Sequence, residues 1–130
     1  MDWQDSALAA AGLMGSAVAV VHGLLVQRLM VRPFREISAG DGRFRGAIGR
    51  LVPLLLHFST FGWLLGGMVL IAAAGWLHGA ERLVVASFVG SLFLFGAAGN
   101  LWATRGRHPG GILMATAVAL IALSLAGSVT

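Results

Sequence analysis

The chain has 130 residues, 58% of them hydrophobic and only 11% charged, with a net charge of +4. A water-soluble domain of this size could not bury that much apolar surface, so the positive excess is read as membrane topology before any nucleic-acid footprint. Lack of cysteine excludes disulfides, thiolate metal sites and iron–sulfur clusters, and all nine basic residues are arginine.

The N-terminal MDWQDS is acidic where a secretory signal is basic, so no cleaved leader is expected. Four apolar runs of about 20 residues, the length a hydrocarbon core demands, then follow. They cover Ala7–Gln27, Leu51–Gly75, Leu83–Ala103 and Ile112–Val129. Between them lie a first loop over residues 28–50, a short HGAER turn and the segment RGRHPGG, each rich in charge or turn formers. The expected fold is all-α: a single transmembrane domain over residues 1–130, four helices in an up-down bundle with both termini outside.

Arginine sets that orientation. Arg28, Arg32, Arg35, Arg43, Arg45 and Arg50 crowd the first loop, and Arg105 and Arg107 the third. Those loops share one side of a four-span protein, which the positive-inside rule makes cytoplasmic. The expected location is therefore a bacterial inner membrane. Trp3, Trp76 and Trp102 fall near span ends, where indole rings anchor at the interface; Trp63 is mid-span and does not fit that belt. The first loop carries Phe34, Ile37, Phe44 and Ile48 among its arginines, a pattern open to an interfacial helix or to a solvated connector broken by its glycines.

Small residues supply the packing signal. Gly15 and Ala19 in span one, and Gly62 and Gly66 in span two, are spaced to let helix backbones approach. Against this background stand the polar residues. His57 follows Arg50 by seven residues and His22 precedes Arg28 by six, which at helical rise puts each about 10 Å from its arginine. Asn100 in span three and Thr116 in span four lie near the same level, with Ser59 and Thr60 beside His57. The expectation is one polar layer in which His22 and His57 face each other.

Intramembrane ionisable groups usually mark function. Two neutral imidazoles at one depth have the chemistry to ligate a b-type haem or to share a metal ion. Close helices leave no room for a porphyrin, so that reading needs spans one and two on a diagonal. The bland alternative is a hydrogen-bonded layer that fixes helix register. All five acidic residues lie outside the spans, which argues against a carboxylate-driven exporter. No Ser–His–Asp set, phosphate loop or HExxH motif can be assembled, so no catalytic residue is assigned. His78 and His108 read as solvated loop residues.

The element FSTF, Phe58–Phe61, resembles the phenylalanine-flanked Ser-Thr motif of the small four-span fluoride channels. That family carries it in the third span and adds a Gly-rich arginine motif in the first; here it sits in the second span and the other motif is missing. The resemblance is rejected. What remains is a small accessory or ligand-holding membrane subunit built around His22 and His57, its ligand unassigned. Its surroundings would be the bilayer, further copies of itself or a larger membrane complex, and no nucleic acid. The rival readings are a small ion channel or transporter, and a purely structural partner protein.

Overall fold

A computed structural model describes residues 2–44 and 46–127. Arg45 and the last residues of the expected fourth span, through Val129, lie outside the described residues. Helix α1 (Trp3–Val26) runs through a π turn (Gln27–Val31) into α2 (Arg32–Ser38) without a break. After a 3₁₀ turn (Gly42–Phe44) come α3 (Ala47–Trp76), α4 (Gly79–Ala103) and α5 (Pro109–Ala126). Four of these helical segments are long and apolar enough to cross a membrane: Trp3–Ser38, Ala47–Trp76, Gly79–Ala103 and Pro109–Ala126.

Local chemistry explains the boundaries. Asp2 caps α1: its carboxylate accepts from the Asp5 N–H at 2.8 Å, and the Asp5 carboxylate accepts from the Asp2 N–H at 3.1 Å. The π turn falls just ahead of Pro33, with the Arg32 N–H reaching the Gln27 carbonyl five residues back. A proline lacks the N–H and crowds the carbonyl four residues before it, and a widened turn relieves that collision. The first loop is thus shorter than expected, because Arg28, Arg32 and Arg35 ride on a helical extension of the first span. Beyond it, the Arg43 guanidinium lies 3.0 Å from Asp41 and holds that carboxyl below the usual carboxylate range.

Helix α4 ends in a Schellman motif. The Gly106 N–H donates to the Leu101 carbonyl at 2.7 Å and the Arg105 N–H to that of Trp102 at 3.3 Å. Arg105 occupies the left-handed position, φ 52°, that glycine normally fills. His108 is no free loop residue: its Nδ1 accepts from the Gly111 N–H at 3.1 Å and caps α5.

The helices form a four-membered ring in which α1 packs on α3 and α5, and α4 packs on α3 and α5. First and second spans are neighbours, not a diagonal pair. Their contact is backbone on backbone: a Cβ on Gly12 would lie 2.5 Å from the Gly67 carbonyl, and a Cβ on Gly67 equally close to the Gly12 carbonyl. Phe93 of α4 crosses the centre of the ring, fully buried, and seats its ring over Gly15 of α1 and Gly66 of α3. Ala19 is also fully buried. Gly62 does not take the packing role its spacing suggests, because a Cβ there meets nothing within 4 Å. Helices already in lipid gain little hydrophobic drive from touching each other, so such close van der Waals contacts carry much of their association.

These contacts separate two glycines of one helix. Gly67→Leu should cost at least the 1–3 kcal/mol of an overpacked core, whereas Gly62→Leu should be nearly neutral. Thermal unfolding of both variants in detergent checks this; equal destabilisation would refute the assigned α1–α3 interface.

Candidate functional site

Polar side chains gather at two levels of the bundle. The first surrounds His22. Its Nε2 lies 3.4 Å from the Ser59 hydroxyl on α3, and its ring meets the indole of Trp63 at 4.7 Å between centroids, tilted by 52°. Trp63 is 7% exposed and lies against Gly96 of α4, where a Cβ would collide with the indole. Its mid-span position is therefore a core position, made possible by a glycine on the facing helix. Asn100, one turn further along α4, donates to the Gly96 carbonyl at 2.8 Å. His22, Ser59, Trp63 and Asn100 line a groove of about 450 Å³ between α3 and α4. Phe58 and Phe95 form its rim. On its other side His22 borders a smaller cavity of about 260 Å³, shared with the His108 cap and Leu25.

His57 belongs elsewhere. Its Nε2 lies 3.0 Å from the Gln27 side-chain oxygen, in the first residue of the π turn. Gln27 follows His22 by five residues, so the two histidines sit about 7 Å apart along α1. The structure pairs each with a different partner and does not make one site of them. Arg28 sits within a continuous helix and Arg50 near the start of another, so neither marks the end of a span, and the partner of each imidazole is the side chain within its reach, Ser59 for His22 and Gln27 for His57. With α1 and α3 in direct contact, the diagonal arrangement that a bis-histidine haem requires is not formed, and these residues do not fit one. Among the described residues no cluster of three or more His, Cys, Asp or Glu could hold a metal ion.

Thr116 stays out of the layer as well. It is exposed, and its hydroxyl donates to the Ile112 carbonyl at 3.1 Å. Thr60 packs its methyl toward Gly23, and its buried hydroxyl has no hydrogen-bond partner among the described residues. The arginines Arg28, Arg32, Arg35, Arg50, Arg105 and Arg107 are all exposed.

The second level was not anticipated from the sequence. Arg82, only 7% exposed, donates from Nη1 to Asp5 Oδ1 at 2.7 Å and from Nη2 to the Ser124 hydroxyl at 3.2 Å. Ser124 in turn donates to the Gln4 carbonyl at 2.9 Å. One guanidinium thus ties α4 to the starts of α1 and the end of α5. Asp5 serves twice, with one oxygen in the α1 cap and the other on Arg82. The signal available was Arg82 itself, the one arginine standing apart from the other eight. Gln4 and His22 are 18 residues apart, which places the two polar levels about 27 Å from each other along α1.

No family model, curated protein or solved structure matches this chain. The site must be read from its own geometry.

That geometry makes the Arg82 clasp a stability element. Ser124→Ala should cost about 1 kcal/mol by removing two linked hydrogen bonds. Arg82→Met should lower the melting temperature further, and Arg82→Lys should recover only part, since an ammonium cannot reproduce the guanidinium fork. Thermal denaturation of the three variants decides; an unchanged Arg82→Met protein would contradict the clasp.

Proposed function

We propose that this chain is a small integral membrane protein that holds a lipid-soluble ligand beside His22. The observation that carries this reading is the groove between α3 and α4, where three hydrogen-bonding side chains, His22, Ser59 and Asn100, border an otherwise apolar space. Ligand sites have this composition: mostly apolar walls with a few polar groups that fix orientation. A conducting pore is the weaker reading. Between the two polar levels the centre is filled by Phe93, Leu70 and Met114, all fully buried.

The proposed placement is a bacterial inner membrane, the four helices alternating in direction, with the arginine-rich ends cytoplasmic and both termini outside. Contacts support the alternation: Gly12 meets Gly67, Gly23 meets Thr60 and Gln27 meets His57, so advancing along α1 retreats along α3. The Arg82 clasp likewise brings the beginnings of α1 and α4 to the end of α5. A ligand-holding chain of this size is proposed to work as an accessory subunit, among its own copies or in a larger membrane complex.

Two measurements test these statements. Reporter fusions should be active in the cytoplasm when inserted between Glu36 and Gly42, and outside when placed after Thr130; the reverse pattern overturns the orientation. Native mass spectrometry of protein from its own membranes should show a bound small molecule at near one per chain, lost in His22→Ala. Wild-type protein with only its bare mass overturns ligand holding.

A further inference from the structure

We infer that the groove between α3 and α4 takes the head of a neutral, flat ring bearing carbonyl or hydroxyl oxygens, a quinone-type molecule whose tail stays in lipid. This rests on the ligand-holding reading and gives it a chemical class. Three features of the groove lead there. First, none of its lining residues is Asp, Glu, Arg or Lys, so nothing in it offsets the desolvation of an ionic head, and a neutral one is selected.

Second, its polar groups have hydrogen-bonding capacity left over. In the tautomer with Ser59 donating to Nε2, His22 carries its proton on Nδ1, which has no protein partner among the described residues. Asn100 uses one N–H on Gly96 and keeps a second N–H and its Oδ1. His22, Ser59 and Asn100 all line this end of an apolar slot, and the donors and acceptor they have left suit a ring oxygen in its carbonyl or hydroxyl form.

Third, the walls are aromatic and the space is made by missing side chains. Trp63 backs the groove and Phe58 and Phe95 flank it, surfaces on which a flat ring stacks. Gly62 and Gly99 both line it, and a Cβ on either meets nothing within 4 Å. Those two glycines therefore hold space open that no protein atom uses. The volume of about 450 Å³ falls within the range of small-molecule sites. The mouth opens sideways past Phe95, 82% exposed, so a tail passes outward between the helices.

The test uses the full chain in liposomes with Trp3, Trp76 and Trp102 changed to phenylalanine, so that Trp63 is the sole fluorophore. Titration with decylubiquinone should quench it saturably. Gly99→Leu, which fills unused space and so should leave the fold intact, should abolish the saturable component, as should Gly62→Leu. Asn100→Leu and His22→Ala should each raise the half-saturating concentration about tenfold. Linear quenching that neither leucine variant alters overturns the ring assignment. A parallel titration in brominated-acyl phosphatidylcholine separates the two levels of inference. If bromolipid quenches Trp63 and Gly99→Leu relieves it while the quinone acts only linearly, the groove holds an acyl chain, and ligand holding survives without the ring. If neither probe responds to Gly99→Leu, both readings fail.

Discussion

The contact between Gly12 and Gly67 is the constraint on which the rest of the bundle depends. With no side chain on either residue, α1 and α3 meet backbone to backbone, and that fixes their register. Further along, the same antiparallel packing lays Gly23 against Thr60, His22 beside Ser59 and Trp63, and His57 beside Gln27. The same close approach rules out any bulky group between these two helices. Space opens instead on the far side of α3, where α4 packs more sparsely and glycine leaves the groove unfilled. One interface is tight so that its neighbour can be open.

Polarity is distributed in the same disciplined way. Backbone groups of helices in hydrocarbon are satisfied within each helix, which leaves side chains as the only polar atoms to be placed. Most are gathered near the two ends, with Phe93, Leu70 and Met114 filling much of the interval and Ser16 and Ser91 the small exceptions within it. The two ends are built differently. At one, Arg82 and Asp5 neutralise each other, and the guanidinium also reaches Ser124. At the other, His22, Ser59 and Asn100 form no ion pair among the described residues and border open space. The charge-paired end suits a fastener and the open end suits a site.

Much of this was legible in the sequence, and what was not has identifiable causes. Run length and hydropathy suffice for four helices because bilayer thickness sets them. His22 and Asn100 stood out through the cost of polar groups in lipid, and both line the groove. The end of the first span was misplaced because Arg28 looks like a boundary, whereas a π turn ahead of Pro33 lets the helix continue to Ser38. Small-residue spacing flagged Gly62 and passed over Gly12 and Gly67, since periodicity shows that a glycine could sit at a contact and not which face is turned to it. Arg82 and Asp5 are 77 residues apart, and no local pattern announces such a pairing. Trp63 needed its partner glycine, Gly96, to make sense.

The link between α3 and α4 consists of two residues, Leu77 and His78, and it lies at the end of the pair remote from the groove. Gly99 is 21 residues beyond His78, a lever arm of about 30 Å. A swing of about 5° about that link displaces the Gly99 level by nearly 3 Å on that arm, close to the thickness of an aromatic ring. Arg82 lies four residues from the pivot, where the same swing moves the chain by about half an ångström. The two helices are thus joined like the covers of a book, with the fastener near the spine, where a change of angle is felt least, and the groove near the opposite edge, where it is felt most.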